Sequence, residues 1–255
     1  MRPSTRMDSR KLRARSVWLA ALLFFAGCVS AKPYNPYEVP REEFARLVRT
    51  IGIMPPGVYL RRPHRERVAA DIERAVTEIL QARGYRVVGS NVVGPVWRRY
   101  ASQIGGVFDP LTGEPDDEKL RVARSYAARD LAHSHQVDAL LLAFTSERTL
   151  YRSNGEPVWP QFNGENIRLD QQPVLDMPQL VTGVWLSVIM VEPDGRRLYK
   201  GGIPVQWRTV YVARSYFRRP DEELFPSDRV SNAVRELLAP LERCVAPAPT
   251  TAANP

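Results

Sequence analysis

The chain has 255 residues, 44% hydrophobic and 25% charged, with 22 Pro, 15 Gly, two Cys and a formal charge of +8. That length and composition suffice for a buried core and exclude wholesale disorder, a collagen-like repeat and a polytopic membrane protein. Two cysteines exclude a disulfide-built scaffold.

In chain order, the first feature is an address. Residues 1–27 hold Arg2, Arg6, Arg10, Lys11, Arg13 and Arg15 against a single acid, Asp8. Ser16 to Gly27 is apolar and uncharged. A basic start, an apolar run and small residues at its end are the parts of an export signal. The run is too short to cross a bilayer as a helix, which takes about 20 residues. Without residues 1–27 the charge falls to about +3, so the basicity belongs to the signal and nucleic acid is not an expected partner.

Phe25-Ala26-Gly27-Cys28 resembles a bacterial lipobox, with Phe25 where Leu is usual. The resemblance implies cleavage before Cys28 and acylation of its sulfur and new amine. Several acyl chains anchor stably where one holds weakly. Val29 follows in place of Asp, which implies, by the same resemblance, the periplasmic face of the outer membrane. With Cys28 acylated, Cys244 is the one remaining thiol and no intrachain disulfide forms.

Residues 28–46, with Pro33, Pro36 and Pro40, read as a lipidated cysteine and an extended tether. Residues 47–244 read as one α/β domain, and the Ala/Pro/Thr-rich 245–255 as a disordered tail. Within the domain, Leu47 to Met54 predicts a strand ended by Pro55-Pro56-Gly57. Val68, Ile72, Ala75, Val76, Ile79 and Leu80 keep a 3.6 period, predicting a helix from about Pro63 to Arg83 closed by Gly84. Tyr85 to Val88 is a second strand, and the stretch with Gly94-Pro95, Gly105-Gly106 and Asp109-Pro110 a loop. Pro115-Asp116-Asp117-Glu118 opens the next helix. Ala139 to Phe144 is apolar on both faces, as a central strand is.

Tyr151 to Pro178 reads as a long insertion or a pair of short edge strands. Val181 to Val191 is a strand, Pro193-Asp194-Gly195 a turn, and Arg197–Lys200 and Ile203–Ala213 strands on either side of Gly201-Gly202. Val230, Ala233, Val234, Leu237, Leu238 and Leu241 stripe a last helix that begins near Ser227. The order β-α-β-α-β, an antiparallel meander and a final helix predicts a mixed sheet with helices packed on it.

Ile51-Gly52-Ile53-Met54-Pro55-Pro56, Leu80 to Val88 and His135-Gln136-Val137-Asp138-Ala139-Leu140-Leu141 are similar to stretches of a group of bacterial envelope lipoproteins. That group includes the penicillin-binding-protein activator LpoB and the curli secretion lipoprotein CsgG, with the amino-terminal domain of TolB a looser relative. Gln136-Val137 stands where such proteins carry Gly-Ala. The resemblance spans roughly residues 47–241 and implies the architecture above and a binding or assembly role without catalysis.

Chemistry is sparse. No G-x-x-x-x-G-K-[ST], G-x-G-x-x-G or G-x-S-x-G occurs, and no cofactor is expected. His133, His135 and Asp138 are the one cluster on which an envelope hydrolase could be built, against the plainer reading of helix-end capping. Arg61-Arg62-Pro63 and Arg218-Arg219-Pro220 are basic pairs before helices. The candidate interaction surface is Trp97, Tyr100, Trp159, Phe162, Tyr216, Phe217, Arg218 and Arg219, aromatics and arginines assigned to loops and element ends, with Phe225 nearby in sequence. The expectation is therefore a membrane-anchored, non-catalytic module that binds an envelope protein or itself. An oligomeric part of a secretion or transport apparatus is the alternative.

Overall fold

The computed structural model describes residues 35–112, 114–153, 156–157, 180–212 and 215–241. The expected signal, Cys28, Cys244, Trp159 and Phe162 lie outside them.

Among the described residues, five helices and eight strands follow the chain. They are α1 (Arg41–Leu47), β1 (Thr50–Ile53), α2 (His64–Ala82), β2 (Arg86–Val88), α3 (Ser90–Gln103), α4 (Asp117–His135), β3 (Ala139–Ser153), β4 (Glu156–Pro157), β5 (Leu180–Val191), β6 (Arg197–Trp207), β7 (Thr209–Val212), β8 (Ser215–Arg218) and α5 (Ser227–Leu238). The main sheet runs β2-β1-β3-β5-β6, with β4 paired to the far end of β3. β1 lies parallel to β2 and β3, and β3, β5 and β6 are antiparallel. This is the mixed α/β sheet expected from the sequence. β7 and β8 form a separate ribbon.

The crossovers explain the layers. From β1 the chain steps outward to β2 through α2, then back past β1 to β3 through α3 and α4. Right-handed crossovers in opposite directions place their helices on opposite faces. One core accordingly joins α1, α2 and α5 to Ile51, Ile53, Leu141, Leu186 and Val188. The other joins α3 and α4 to Leu140, Val191 and Met54. Alternate residues of β3 divide between the two cores, as the strand's period of two dictates.

The segment expected as a tether is folded from Asn35 onward. Lys200 donates its amide to Pro36, Glu38 donates to Leu198, and Tyr37 bridges to Tyr199. Phe44 is fully buried against edge-on Tyr37, at 5.2 Å between ring centroids. Three tyrosines meet the end of α5: Tyr37 Oη donates to Pro240 O at 2.5 Å, Tyr199 Oη to Leu237 O and Tyr85 Oη to Leu241 O. They satisfy carbonyls that a helix end leaves without partners. The prolines disguised a short helix whose apolar residue completes the core.

The loop expected around Gly94-Pro95 is helix α3. Glu73 accepts the Ser90 amide at 2.9 Å and its hydroxyl at 2.7 Å, which satisfies donors of the first turn. Gly94 is needed for proximity, since a Cβ there would sit 3.1 Å from Pro55 Cγ. Gly52 serves likewise, because its Cβ would meet Leu140 Cδ2 at 2.9 Å and Val93 Cγ2 at 3.3 Å. Helix α3 therefore lies tight against β1.

β6 runs unbroken through Gly201-Gly202, where a break was expected. The register shifts instead fall beside Val184/Trp185 and Met190/Val191. Pro204 sits on β6, an edge strand that tolerates a residue with no N–H and gains protection against pairing with another chain.

Candidate functional site

On the face that carries α2 and α5, β3 and β5 extend beyond the helices. Odd-numbered residues of β3 face this side, first as core (Ala139, Leu141, Ala143) and then as polar Thr145 and Glu147. A cleft of 480 Å³ opens there, between the Tyr59-Leu60-Arg61 segment, β3, Arg208 and Asp221. That volume is in the ordinary range for small-molecule sites.

Arg208 is the centre of the cleft. It interrupts the run from β6 to β7, with its amide given to Thr182 O and its carbonyl accepting from Arg219 N. Its side chain is buried. Nε stands 3.1 Å from Glu147 Oε1, and Nη1 stands 2.7 Å from Asp221 Oδ1 and donates to Arg219 O at 3.1 Å. Arg218 Nη2 approaches the same Glu147 oxygen at 3.5 Å from the exposed side. One guanidinium thus ties β3 and the β6–β7 junction to the 3-10 turn Asp221–Glu223, and its charge is balanced by two carboxylates. Burying such a group unpaired is expensive, so the carboxylates are a condition of its place in the fold.

The protonation states follow from the same geometry. The hydrogen bond and charge of Arg208 hold the Asp221 carboxyl below its ordinary value. Burial, and then the Glu147 carboxylate, push the Tyr59 phenol well above its own. An ionised carboxylate and a proton-retaining phenol offer an acceptor and a donor at neutral pH. The charged groups of the cleft are in large part taken up by one another.

The sequence-predicted residues disperse. Trp97 and Tyr100 lie on helix α3, not in a loop. Trp97 packs against the second core, and Tyr100 stacks on Tyr126 at 5.8 Å and donates to Asp130 Oδ2 at 3.3 Å. Arg99 lies over the Tyr100 ring at 4.9 Å and pairs with Asp130. Tyr216 and Phe217 are on β8. Arg218 alone of the expected set lines the cleft. Arg219 pairs with Glu223 at 3.1 Å. Phe225 is fully buried core.

The histidine cluster also separates. Asp138 Oδ2 accepts the amides of Arg49 and Thr50, each at 2.8 Å, and Asp138 N donates to Thr50 O at 2.9 Å. That carboxylate aligns the starts of β1 and β3. His133 is exposed at the end of α4 and His135 contributes its backbone carbonyl to Arg86. Among the described residues no group of three His, Cys, Asp or Glu side chains is placed to hold a metal ion.

The cleft was missed because its residues come from four separated stretches. The available signal was Glu147 on the core-facing parity of β3 and an arginine set between two apolar strands.

No family model matches the chain, and no curated protein matches it. Among solved structures it is similar to the PelC dodecamer from Paraburkholderia phytofirmans. The match has 11% identity and a TM-score of 0.35, covering 83% of this chain and 95% of that one. A leucine-to-methionine variant of the same dodecamer matches at 12% identity with a TM-score of 0.34, covering 77% and 91%.

Proposed function

We propose that this chain is a lipid-anchored envelope protein that works by binding, as a non-catalytic module of a complex on the periplasmic face of the outer membrane. The observation that carries the reading is Phe25-Ala26-Gly27-Cys28, a lipobox-like sequence that closes an apolar run. Two features of the domain support it. The charges of the cleft around Arg208 are paired with one another, and the Asp138 carboxylate is occupied by backbone amides. The bound component is an envelope protein or a second copy of this chain.

Metabolic labelling with an alkyne palmitate analogue tests the anchor. Label is expected on the native chain, and Cys28→Ser is expected to lose it and to leave the membrane fraction. Unlabelled native protein, or a Cys28→Ser variant that stays in the membrane fraction, would sink the reading. Crosslinking in cells tests the binding role, and a strictly monomeric protein with no crosslinked partner would count against it.

A further inference from the structure

The cleft around Arg208 has polar capacity that its own residues leave unused. Its lining carries three guanidinium groups, of Arg61, Arg208 and Arg218, and two carboxylates, of Glu147 and Asp221. Pairing therefore leaves one positive charge over. Both carboxylates are taken: Glu147 by Arg208 and Arg218, and Asp221 by Arg208 and the Arg61 amide. The Arg61 side chain is exposed and enters no ion pair among the described residues.

The hydrogen bonds are unbalanced in the same sense. Tyr59 Oη and Ser146 Oγ are closed off from water and have no hydrogen-bond partner among the described residues. Arg208 Nε, though 3.1 Å from Glu147 Oε1, is not aligned for a hydrogen bond to it and has no other. All three atoms belong to residues that line the cleft. Folded proteins leave few such groups unpaired, because each then bears the full cost of its desolvation. The Tyr59 phenol keeps its proton and is a donor, and a guanidinium N–H can only donate. The cleft therefore lacks an acceptor, and a negative one. Water would satisfy the hydroxyls but not the surplus charge. A carboxylate does both: its single charge matches the surplus, which a phosphate dianion exceeds, and its two oxygens accept several N–H or O–H groups. At 480 Å³ the cleft has the size of a small-molecule site.

We propose that the cleft binds a small organic monocarboxylate, with Arg61, Arg218 and the Tyr59 hydroxyl as its principal donors. Arg208 stays bound to Glu147 and Asp221 and holds the floor of the site together. This ligand site goes beyond the assembly role proposed above and does not depend on the anchor.

The test uses the full-length protein in detergent micelles at pH 7 and fixed ionic strength, with sodium propionate as the probe. Saturation-transfer NMR is expected to show transfer to propionate that saturates in the millimolar range. Arg61→Gln with Arg218→Gln, and separately Tyr59→Phe, should each raise the Kd about tenfold, the effect of losing a hydrogen bond to a charged group. The melting temperature without propionate should not fall in either variant, since the two arginines are exposed and the Tyr59 hydroxyl has no partner to lose. That readout separates a lost ligand contact from a damaged fold. Inorganic phosphate is expected to displace propionate only weakly. No transfer above that seen with the double arginine variant would leave the donors to water and overturn the proposal. Tighter binding of phosphate than of propionate, or a Tyr59→Phe variant that binds propionate as well as the parent, would overturn it too. Propionate binding is expected unchanged in Cys28→Ser, so this site and the anchor fail separately.

Discussion

Arg208→Met is the sharpest probe of the cleft. The substitution keeps the apolar stem but removes the guanidinium between Glu147 and Asp221. Removing one partner of a fully buried ion pair costs about 3–5 kcal/mol, because the other charge is left without compensation. Here the two carboxylate side chains are 30% and 24% exposed, so water reaches them and takes up part of the loss. We expect about 2–3 kcal/mol at pH 7, and therefore a melting temperature lower by about 4–12 °C for a domain of this size.

The pH dependence gives a second, independent reading. Arg208 depresses the folded-state pKa of Asp221, so the unfolded chain takes up that proton more readily than the folded one. This stabilisation is complete above the unfolded value, near 3.9 for an aspartate. It is lost as pH falls through the lower folded value. The gap between parent and variant should thus be full at pH 7 and narrow below about pH 4. Urea unfolding at pH 7, 5 and 3.5 measures both quantities. A loss under about 1 kcal/mol at pH 7, or a gap that stays constant into acid, would refute the account of Arg208 as the tie that organises this face.

Three further outcomes follow from local geometry. Tyr37→Phe deletes the hydroxyl that donates to Pro240 O and should cost about 1 kcal/mol, read by urea midpoint, whereas Tyr37→Ala also empties the pocket against Phe44 and Tyr199 and should cost about 2–4 kcal/mol. Equal losses for the two would remove the ring contacts from the explanation. Gln136 ends α4 at φ 57°, so Gln136→Gly should raise stability by about 0.5–1 kcal/mol and Gln136→Val should lower it. A glycine variant that melts earlier than the parent would contradict the strain argument. Gly52→Ala places a methyl against Leu140 and Val93 and should cost about 1–3 kcal/mol by overpacking. Wild-type stability in that variant would mean that α3 shifts away from β1 without penalty.

Much of the architecture was legible because period and chirality dictate it. The stripe of Val68, Ile72, Val76 and Leu80 belongs to a helix with one dry face, and α2 buries those residues. The two crossovers then leave little freedom over which face each helix covers. The misreadings share a cause. Pro40 and Gly94-Pro95 are strong local punctuation, yet α1 starts immediately after Pro40 and α3 carries Pro95 within its second turn. Tertiary contacts at Phe44 and Gly94 outweigh the local signal. The departure at Gln136-Val137 was visible, and its cost was not, because a left-handed backbone angle is a property of the folded turn. The cleft was least legible. Ion pairs across β3, the β6–β7 junction and a 3-10 turn leave no spacing to read. Trp97 and Phe225, read as aromatics of loops and element ends, went partly inside and inside once their elements proved helical or core.

The hydrogen bond from Tyr37 to Pro240 joins points 203 residues apart in sequence and leaves the two ends of the fold side by side. Such a domain is suited to circular permutation: a short Gly-rich joint from Leu241 to Asn35 could close the chain, with new ends opened in an exposed turn such as Asp194-Gly195. For anyone attaching a reporter, the same closeness carries a warning. A fluorescent protein fused after Leu241 would emerge beside the Tyr37 segment, while one inserted at the exposed Asp194-Gly195 turn would leave that junction unburdened.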